Sequence, residues 1–440
     1  MIKDLVEQLY PLNRQINGAD TDKALSIIGE HIPNWQVHKY APGTECWTWT
    51  VPKRWVLNMA YLSWNDPDVE GGVQTVMMDT NPLSVVAYSE YVSEMLTWAE
   101  LEPHLHYSEE RPDAIPWVSS HYEKDWGFCI PKTVYDCLPR DATYRVVIDA
   151  EFTDEPMSVG VGKANQGDGW TPSSYNPQLL LAAHICHPMQ ANDDISGVAV
   201  LCEVARRLTE NPLPDDALGV RFLFCPETIG STAYLSQNEW LIPHIKAGVF
   251  VEMAGTDGGL RLQHSWQHTD PIDKIAFYAL AGQHVDNGTP FHPEYSFTSD
   301  YFGTVRANDE KIINGPGVDI PCISLIRWPY PEYHTSDDNP SIIHEDKLQE
   351  MADVVERIVR IYCTDYVPKR TFRGYLNTRK YGVWVDWTKD WDLNVATQKI
   401  IHLLDGELSV FEISEAVGLD YWTTRAYVEQ LREKGLVTVD

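Results

Sequence analysis

The chain is poor in positive charge, and this deficit excludes several classes of partner. It contains 34 lysines and arginines against 64 aspartates and glutamates, which gives a formal net charge of -30 at pH 7. Phosphate backbones and anionic lipid surfaces attract proteins that have a positive surface. We therefore expect neither a nucleic acid nor a membrane as a partner.

Long apolar runs are also missing. The sequence has no uninterrupted apolar stretch of about 18 residues, the length that a membrane-spanning helix needs. The first ten residues, MIKDLVEQLY, place Ile2, Leu5, Val6 and Leu9 at helical spacing among charged residues, unlike the apolar core of a secretory signal. The pattern predicts an amphipathic helix and a cytoplasmic protein.

Closely spaced cysteine pairs are absent too. The eight cysteines form no CxxC motif and lie scattered in mostly apolar segments. Such a distribution favours reduced, buried thiols over a disulfide framework, which agrees with a cytoplasmic location.

The length of the chain and its changes of pattern predict several domains, because 440 residues exceed what one hydrophobic core usually holds. We interpret residues 1–50 as a helical segment of the main domain and residues 51–160 as an inserted β-rich domain with Asp, Pro and Gly turns. Residues 161–370 are interpreted as an α/β domain and residues 381–440 as a winged helix-turn-helix domain.

The α/β domain is predicted from short apolar strands that alternate with helical patterns. LLLAA, VRFLFC, GVFVEM and CISLI have the composition of buried strands. After the first of them, one helical stripe carries Val198, Leu201, Val204, Ala205 and Leu208. This alternation predicts a mostly parallel, doubly wound sheet with helices on both faces.

The C-terminal unit has the order of elements of a winged helix-turn-helix: three helical patterns, a turn at Gly418, and a strand after Gly435. Its candidate recognition helix balances Arg425 and Arg432 with glutamates, whereas a DNA reader needs a basic face. We expect this unit to pack against the rest of the chain or to contact another protein.

Potential metal ligands follow four of the predicted strands, and open parallel sheets bind ligands at that edge. His184, His187 and Asp193 follow the first strand, Glu227 follows the second, Glu252 ends the third, and His334 follows the fourth. Imidazole and carboxylate groups are the ligands of catalytic zinc, which keeps one position open for water. The pattern therefore predicts a metal site.

Each of these residues also has a structural interpretation. A histidine at a strand end is often only hydrogen-bonded, and an aspartate before Ser-Gly, such as Asp194, is often a helix cap. Glu252 is harder to explain in this way, because it lies between Val251 and Met253 in an apolar strand, where an unpaired carboxylate is costly.

The order of the pieces resembles the co-catalytic zinc aminopeptidases, the family that includes the transferrin-receptor-like carboxypeptidases and the glutaminyl cyclases. The matching pieces are LLLAAH, NDDISG, PETIGS, VEMAG and YHTSDD, which carry His184, Asp193, Glu227, Glu252 and His334 in that order. More specifically, the chain is similar to bacterial aminopeptidase-like proteins that have an inserted β-rich domain and a C-terminal winged helix. The resemblance covers residues 160 to 365 and implies a zinc aminopeptidase-like fold.

The resemblance also implies the roles of the residues. His184, Asp193, Glu252 and His334 would hold one or two zinc ions, and Glu227 would be the general base of a metal-dependent peptidase-type hydrolase.

Two departures from the family pattern leave alternatives open. Cys186 stands where the family has an aspartate that orients the metal-bound imidazole, so His187 is an alternative ligand. Thr228 stands where the family has a second glutamate, so Glu227 is either the base or a ligand.

The implied substrate is a small peptide or amide. Arg327, Asp300 and Tyr333 are the candidate substrate-binding residues, with Arg327 as a bidentate partner for a carboxylate. A structural ion pair for Arg327 and simple packing for Tyr333 are the alternatives. Two rival functions remain: a metal-binding relative whose activity is lost or is acyl transfer or cyclisation, and a scaffold that uses its winged helix for protein contact. A homo-oligomer is compatible with the sequence.

Overall fold

The structure is a computed structural model that describes residues 1–66, 68–165, 177–281 and 296–439. The strands are β1 (Gln36–Tyr40), β2 (Glu45–Cys46), β3 (Trp49–Thr50), β4 (Arg54–Asn65), β5 (Val73–Met77), β6 (Val92–Thr97), β7 (Leu105–His106), β8 (Phe128–Cys129), β9 (Thr143–Thr153), β10 (Met157–Ala164), β11 (Gln178–His184), β12 (Gly219–Cys225), β13 (Ile245–Glu252), β14 (Leu260–Gln263), β15 (Phe297–Asp300), β16 (Cys322–Arg327), β17 (Pro368–Arg370) and β18 (Val437–Val439). The α-helices are α1 (Ile2–Leu9), α2 (Ala19–Gly29), α3 (Trp98–Leu101), α4 (Lys132–Cys137), α5 (Gly197–Glu210), α6 (Ile229–Ser236), α7 (Pro271–Ala281), α8 (Glu310–Ile313), α9 (Glu345–Thr364), α10 (Thr378–Tyr381), α11 (Trp391–Leu403), α12 (Val410–Val417) and α13 (Tyr421–Glu433). Within the described ranges, none of the helices has both the length and the apolar character that a membrane crossing requires.

An eight-stranded sheet forms the centre of the molecule, with the strand order β1-β10-β12-β11-β13-β16-β14-β15. The strands β12, β11, β13 and β16 run parallel to one another, and β14 runs parallel to β15. The other pairings, β1 with β10, β10 with β12 and β14 with β16, are antiparallel.

The sheet is therefore mixed, and the prediction of a mostly parallel sheet holds only for its centre. Parallel neighbours need a long crossover, usually a helix, and α5 and α6 provide it between β11, β12 and β13. The connection from β13 to β14 spans only residues 253–259 and contains no helix, so the chain turns back and β14 runs opposite to β16.

Both faces of the central strands are covered, which explains why their sequences are mostly apolar and do not alternate between apolar and polar residues. Every residue of β11 and β12 is buried. Leu179, Leu181 and Ala183 pack into the core that contains α1, α5 and α9, whereas Leu180 and Ala182 pack into the core that contains α6. The predicted apolar stripe of α5 is confirmed, since all five of its residues are buried.

A smaller antiparallel sheet, with the order β5-β4-β9-β6, has a core of its own. The chain leaves this sheet after β9, and the next strand, β10, already belongs to the large sheet. The stretch between them is only residues 154–156, so the two sheets are joined by a short connection. The domain boundaries at residues 50 and 160 stay a prediction.

The C-terminal part contains α11, α12 and α13, and β18 pairs antiparallel with β17. Gly418 ends α12 with a φ of 74°, a left-handed conformation that glycine adopts without strain. The backbone N–H of Tyr421 donates to the Tyr278 hydroxyl at 3.3 Å, and that of Val410 donates to the Tyr366 carbonyl at 2.9 Å. These bonds attach the C-terminal helices to α7 and to the segment that follows α9.

Candidate metal centre

Asp193 lies at the middle of a cluster of histidines. It lies in the turn Ala191–Ser196, which directly precedes α5, where its backbone is not helical (φ -104°, ψ 96°), and its side chain is buried. One carboxylate oxygen, Oδ1, lies 3.1 Å from Nε2 of His184 and 3.6 Å from Nδ1 of His187. The other, Oδ2, lies 3.0 Å from Nε2 of His334. A single carboxylate therefore faces three imidazoles.

Glu227 borders this cluster at its accessible side. It follows β12 and precedes α6, and its Oε2 lies 3.4 Å from Nε2 of His187. The Glu227 side chain is 29% exposed, whereas those of His187 and Asp193 are 3% and 2% exposed. His187 thus lies between a buried carboxylate and one that a substrate can reach.

The cluster fits a metal ion. The ligand atoms of His187, Asp193 and His334 lie within 4.8 Å of one another, and so do those of His184, Cys186 and His187. Within the part of the chain that the structure describes, the buried Nδ1 of His187 has no hydrogen-bond partner. Buried polar atoms are seldom left unpaired, and this nitrogen and oxygen donor set suits zinc.

Burial and the neighbouring charges determine the protonation states of Asp193 and His187. Burial alone raises the pKa of Asp193, but His187, His184 and His334 outweigh it and hold that pKa well below its usual range. Burial, helped by the neighbouring imidazoles and opposed by Asp193, holds the pKa of His187 well below its usual range. Asp193 is therefore ionised and His187 neutral, the states in which both bind cations.

His184 differs from His187 in its electrostatics. Burial lowers its pKa, but its contacts with Asp193 and Cys186 raise that pKa well above the ordinary value overall. The Cys186 Sγ lies 3.9 Å from His184 Nδ1. Cys186 therefore contacts the other ring nitrogen of His184, at the position where the family has its orienting aspartate.

Two buried charged residues hold the backbone of this cluster. The Arg14 guanidinium donates to the carbonyls of Ile185 at 2.8 Å and Gln190 at 3.0 Å. The Asp338 carboxylate accepts from the backbone N–H groups of Ala191, Asn192 and Asp193 at 3.0, 2.6 and 3.2 Å. Arg14 fixes the loop that carries His187, and Asp338 fixes the turn that carries Asp193.

Glu252 ends β13 and is buried near the cluster. Its carboxylate accepts a hydrogen bond from the Asn308 amide, and burial together with Glu310 raises its pKa well above the ordinary value. Asp194 accepts from the backbone N–H groups of Gly197 at 3.2 Å and Met253 at 2.9 Å. Asp194 therefore serves as a helix-start acceptor and also ties the turn to the end of β13.

The three candidate substrate-binding residues differ in their positions. The Tyr333 ring stacks on the His334 ring with centroids 3.7 Å apart, which joins it to the cluster. Arg327 is buried and donates to Glu350 at 2.5 Å and to the Gly258 carbonyl at 3.2 Å, the structural ion pair that was the alternative for it. Asp300 pairs with Arg261 at 3.2 Å. Arg327 and Asp300 therefore form ion pairs with residues outside the cluster.

Sequence reasoning missed the contribution of residues 115–117, which follow the first strands of the smaller sheet. The Trp117 ring lies edge-on to His187 and His334, with centroid distances of 4.3 and 4.7 Å. Its backbone N–H donates to the His334 carbonyl at 2.8 Å, and the Ile115 N–H donates to the Ser336 hydroxyl at 3.0 Å. This segment packs directly on two of the candidate ligands.

Comparison with known protein families identifies the family of the chain. The family described as Domain of unknown function (DUF4910) matches residues 3–365, which is most of the sequence. The chain belongs to this family. A Clostridium acetobutylicum protein is 31% identical to this DUF4910 member over 434 residues, covering 96% of the chain and 92% of that protein. Its name assigns it provisionally to polysaccharide biosynthesis and gives it an aminopeptidase-like domain.

Solved structures agree with the fold of this DUF4910 member. A Clostridium acetobutylicum protein, provisionally described as a peptidase, superimposes with a TM-score of 0.80 at 27% identity, covering 100% of this chain and 96% of that one. A zinc aminopeptidase from Bacillus subtilis has a TM-score of 0.56 at 14% identity, covering 81% and 93%. The predicted resemblance to the zinc aminopeptidases is confirmed, and at this low identity the second likeness concerns the fold alone.

Proposed function

We propose that the chain is a zinc-dependent hydrolase that cleaves a peptide or amide bond. The observation that supports this most is the position of Glu227, 3.4 Å from His187, at the accessible side of the ligand set formed by His187, Asp193 and His334. Ligand groups that leave one side open, with a carboxylate beside that side, are typical of metal-assisted hydrolysis.

In this proposal, His187, Asp193 and His334 hold one zinc ion. His184 contacts the same Asp193 oxygen, Oδ1, as His187 does, and with Glu252 it is the candidate holder of a second ion. A bound zinc ion polarises the carbonyl to be attacked and makes water acidic enough to react near neutral pH. The family pattern has a metal-binding glutamate at the position that Thr228 occupies in this chain. In this proposal, His187 supplies the ligand that is missing there.

Glu227 is the general base. Because its carboxylate borders the ligands and is partly exposed, it can accept a proton from the attacking water and pass it to the leaving nitrogen. Its backbone N–H contacts the Cys186 Sγ at 3.1 Å, which fixes the start of the Glu227 segment against the loop that carries His187.

Metal content and turnover test this proposal separately. Protein purified without exposure to a chelator should contain tightly bound zinc. The His187→Ala and His334→Ala variants should each be purified without zinc. Glu227→Gln should keep the zinc and lose at least about 100-fold in kcat on a panel of acyl and aminoacyl 4-nitroanilides, the typical contribution of a general base. Glu407→Gln, at an exposed glutamate of the C-terminal part, is the matched control and should behave as wild type.

Two results contradict the proposal in different ways. Zinc retention without hydrolysis of any substrate favours the relative with lost or different activity, such as acyl transfer or cyclisation. Absence of bound zinc favours the scaffold.

For residues 381–440, we infer a winged helix-turn-helix that serves protein contact and not DNA binding. Support comes from the cations of α13, which are already paired: Arg425 lies 3.3 Å from Glu429, and Arg432 lies 3.3 Å from Asp216. A helix whose arginines are neutralised offers little attraction to phosphates. A DNA-binding titration at low salt should therefore show no saturable binding.

A further inference from the structure

We propose that the cavity beside Glu227 receives an apolar or aromatic group of the substrate that carries no positive charge, so that the preferred substrate is an N-blocked amide and not a peptide with a free amino terminus. This inference rests on the proposed function. The cavity has a volume of about 300 Å³, and Cys186, His187, Glu227 and Thr228 form the part of its wall that adjoins the metal centre.

Aromatic side chains form the other side of this cavity. Trp49, Trp117, His121 and Tyr122 line it. Trp49 and His121 contact the Tyr122 ring edge-on, with centroid distances of 5.7 and 4.4 Å, so the rings support one another. Flat faces held in this way suit a planar or apolar group, and the volume matches a small ligand pocket of roughly 300 Å³.

The charges in the cavity oppose a cation. Among the described residues that line it, Glu227 is the one carboxylate and Lys311 the one lysine or arginine. Burial lowers the pKa of His121 to about 4, so this imidazole is neutral near pH 7. A half-buried ammonium group needs a carboxylate partner, because leaving it unpaired out of water is costly.

Glu227 cannot both pair with an ammonium group of the substrate and act as the general base. A carboxylate that pairs with the ammonium of a free amino terminus is less able to accept a proton from water, and Lys311 would repel that ammonium. A blocked amino group removes the conflict. The Lys311 ammonium donates to the Ala307 carbonyl, a neutral acceptor, at 2.8 Å.

Binding of two matched ligands to the zinc-loaded full chain tests the inference without turnover. At pH 7.5, 3-phenylpropanol is neutral and 3-phenylpropylamine is a cation of nearly the same shape. We expect the alcohol to bind at least tenfold more tightly by isothermal titration calorimetry. Lys311→Glu should abolish or reverse this preference, and Trp49→Ala should weaken binding of the alcohol about tenfold.

Lys246→Glu is the matched control, because Lys246 is an exposed lysine outside the cavity whose ammonium also donates to a backbone carbonyl, that of Pro243, at 2.8 Å. It should leave the preference unchanged. Equal or tighter binding of the amine overturns the inference, and so does failure of both ligands to bind at millimolar concentration.

A kinetic comparison separates this inference from the proposed function. N-acetyl-L-phenylalanine 4-nitroanilide should exceed L-phenylalanine 4-nitroanilide at least tenfold in kcat/KM. Faster cleavage of the free amine would overturn the inference and leave the hydrolase proposal intact. Cleavage of neither anilide and of no other compound in the 4-nitroanilide panel, with the expected order of ligand binding, would overturn the hydrolase proposal and leave the charge preference of the cavity intact.

Discussion

Replacement of Arg14 by methionine should destabilise the protein and weaken its metal site together. Arg14 is fully buried and donates to the carbonyls of Ile185 and Gln190 at 2.8 and 3.0 Å. Methionine has a similar length but no donor, so two buried carbonyls lose their partner at about 1–3 kcal/mol each. We therefore expect the free energy of unfolding to fall by about 2–6 kcal/mol.

The loss of charge adds to this effect. The positive charge of Arg14 interacts with the carboxylates of Asp193, Asp194 and Asp338, all of which are buried. Without it, the Asp193 carboxylate loses a favourable charge interaction, and the loop between His184 and His187 loses its anchor. Zinc affinity should fall by about 10–100-fold, the usual effect of losing a residue that supports metal ligands.

Urea unfolding followed by fluorescence and competition with a zinc chelator measure the two effects. Arg206→Met is the matched control, because Arg206 is 52% exposed and its ion pairs with Glu203 and Glu210 lie on the surface of α5. Its replacement should cost at most about 1 kcal/mol. An Arg14→Met protein within 1 kcal/mol of wild type, with unchanged zinc affinity, would refute the role given to Arg14.

Three further predictions concern other parts of the structure. Trp117→Ala should weaken zinc binding about tenfold in chelator competition, because its ring packs on two candidate ligands; unchanged affinity would show that it only covers them. Gly197→Ala should cost about 1–3 kcal/mol in urea unfolding, because a Cβ there would lie 2.3 Å from the Val251 carbonyl oxygen; wild-type stability would contradict this close approach. Burial raises the pKa of Asp365 from 3.8 to about 6, so its stabilising contribution is complete below pH 3.8 and is lost as the pH rises through about 6. Relative to Asp365→Asn, which keeps an acceptor for the Phe411 N–H, wild type should lose about 2–3 kcal/mol between pH 4 and 7; parallel pH profiles would contradict the shift.

The centre of the fold was predictable because its signals are local. The four central strands are mostly apolar and almost wholly buried, and His184, Glu227 and Glu252 stand at or just beyond strand ends. Parallel strands bring such ends to one edge, so strand order alone joins much of the site.

The antiparallel edges and the supporting residues were not predictable in this way. The apolar pattern of β10 suits either sheet, and only the tertiary structure decides that it pairs with β1 and β12. Arg14 lies 171 residues from Ile185, and no local pattern distinguishes a buried arginine from an exposed one. The same holds for Arg327, whose partner Glu350 lies on another element.

The spacing of the candidate ligands along the chain has a consequence for biosynthesis. Asp193 and His334 are 141 residues apart, and β12, β13 and β16 all lie between them in the sequence. During translation, His187 and Asp193 leave the ribosome long before His334 exists, so an ion that arrives early meets only part of the proposed ligand set. Tight metal binding would therefore require that β16, the last of the four central strands, and His334 after it have been synthesised and folded.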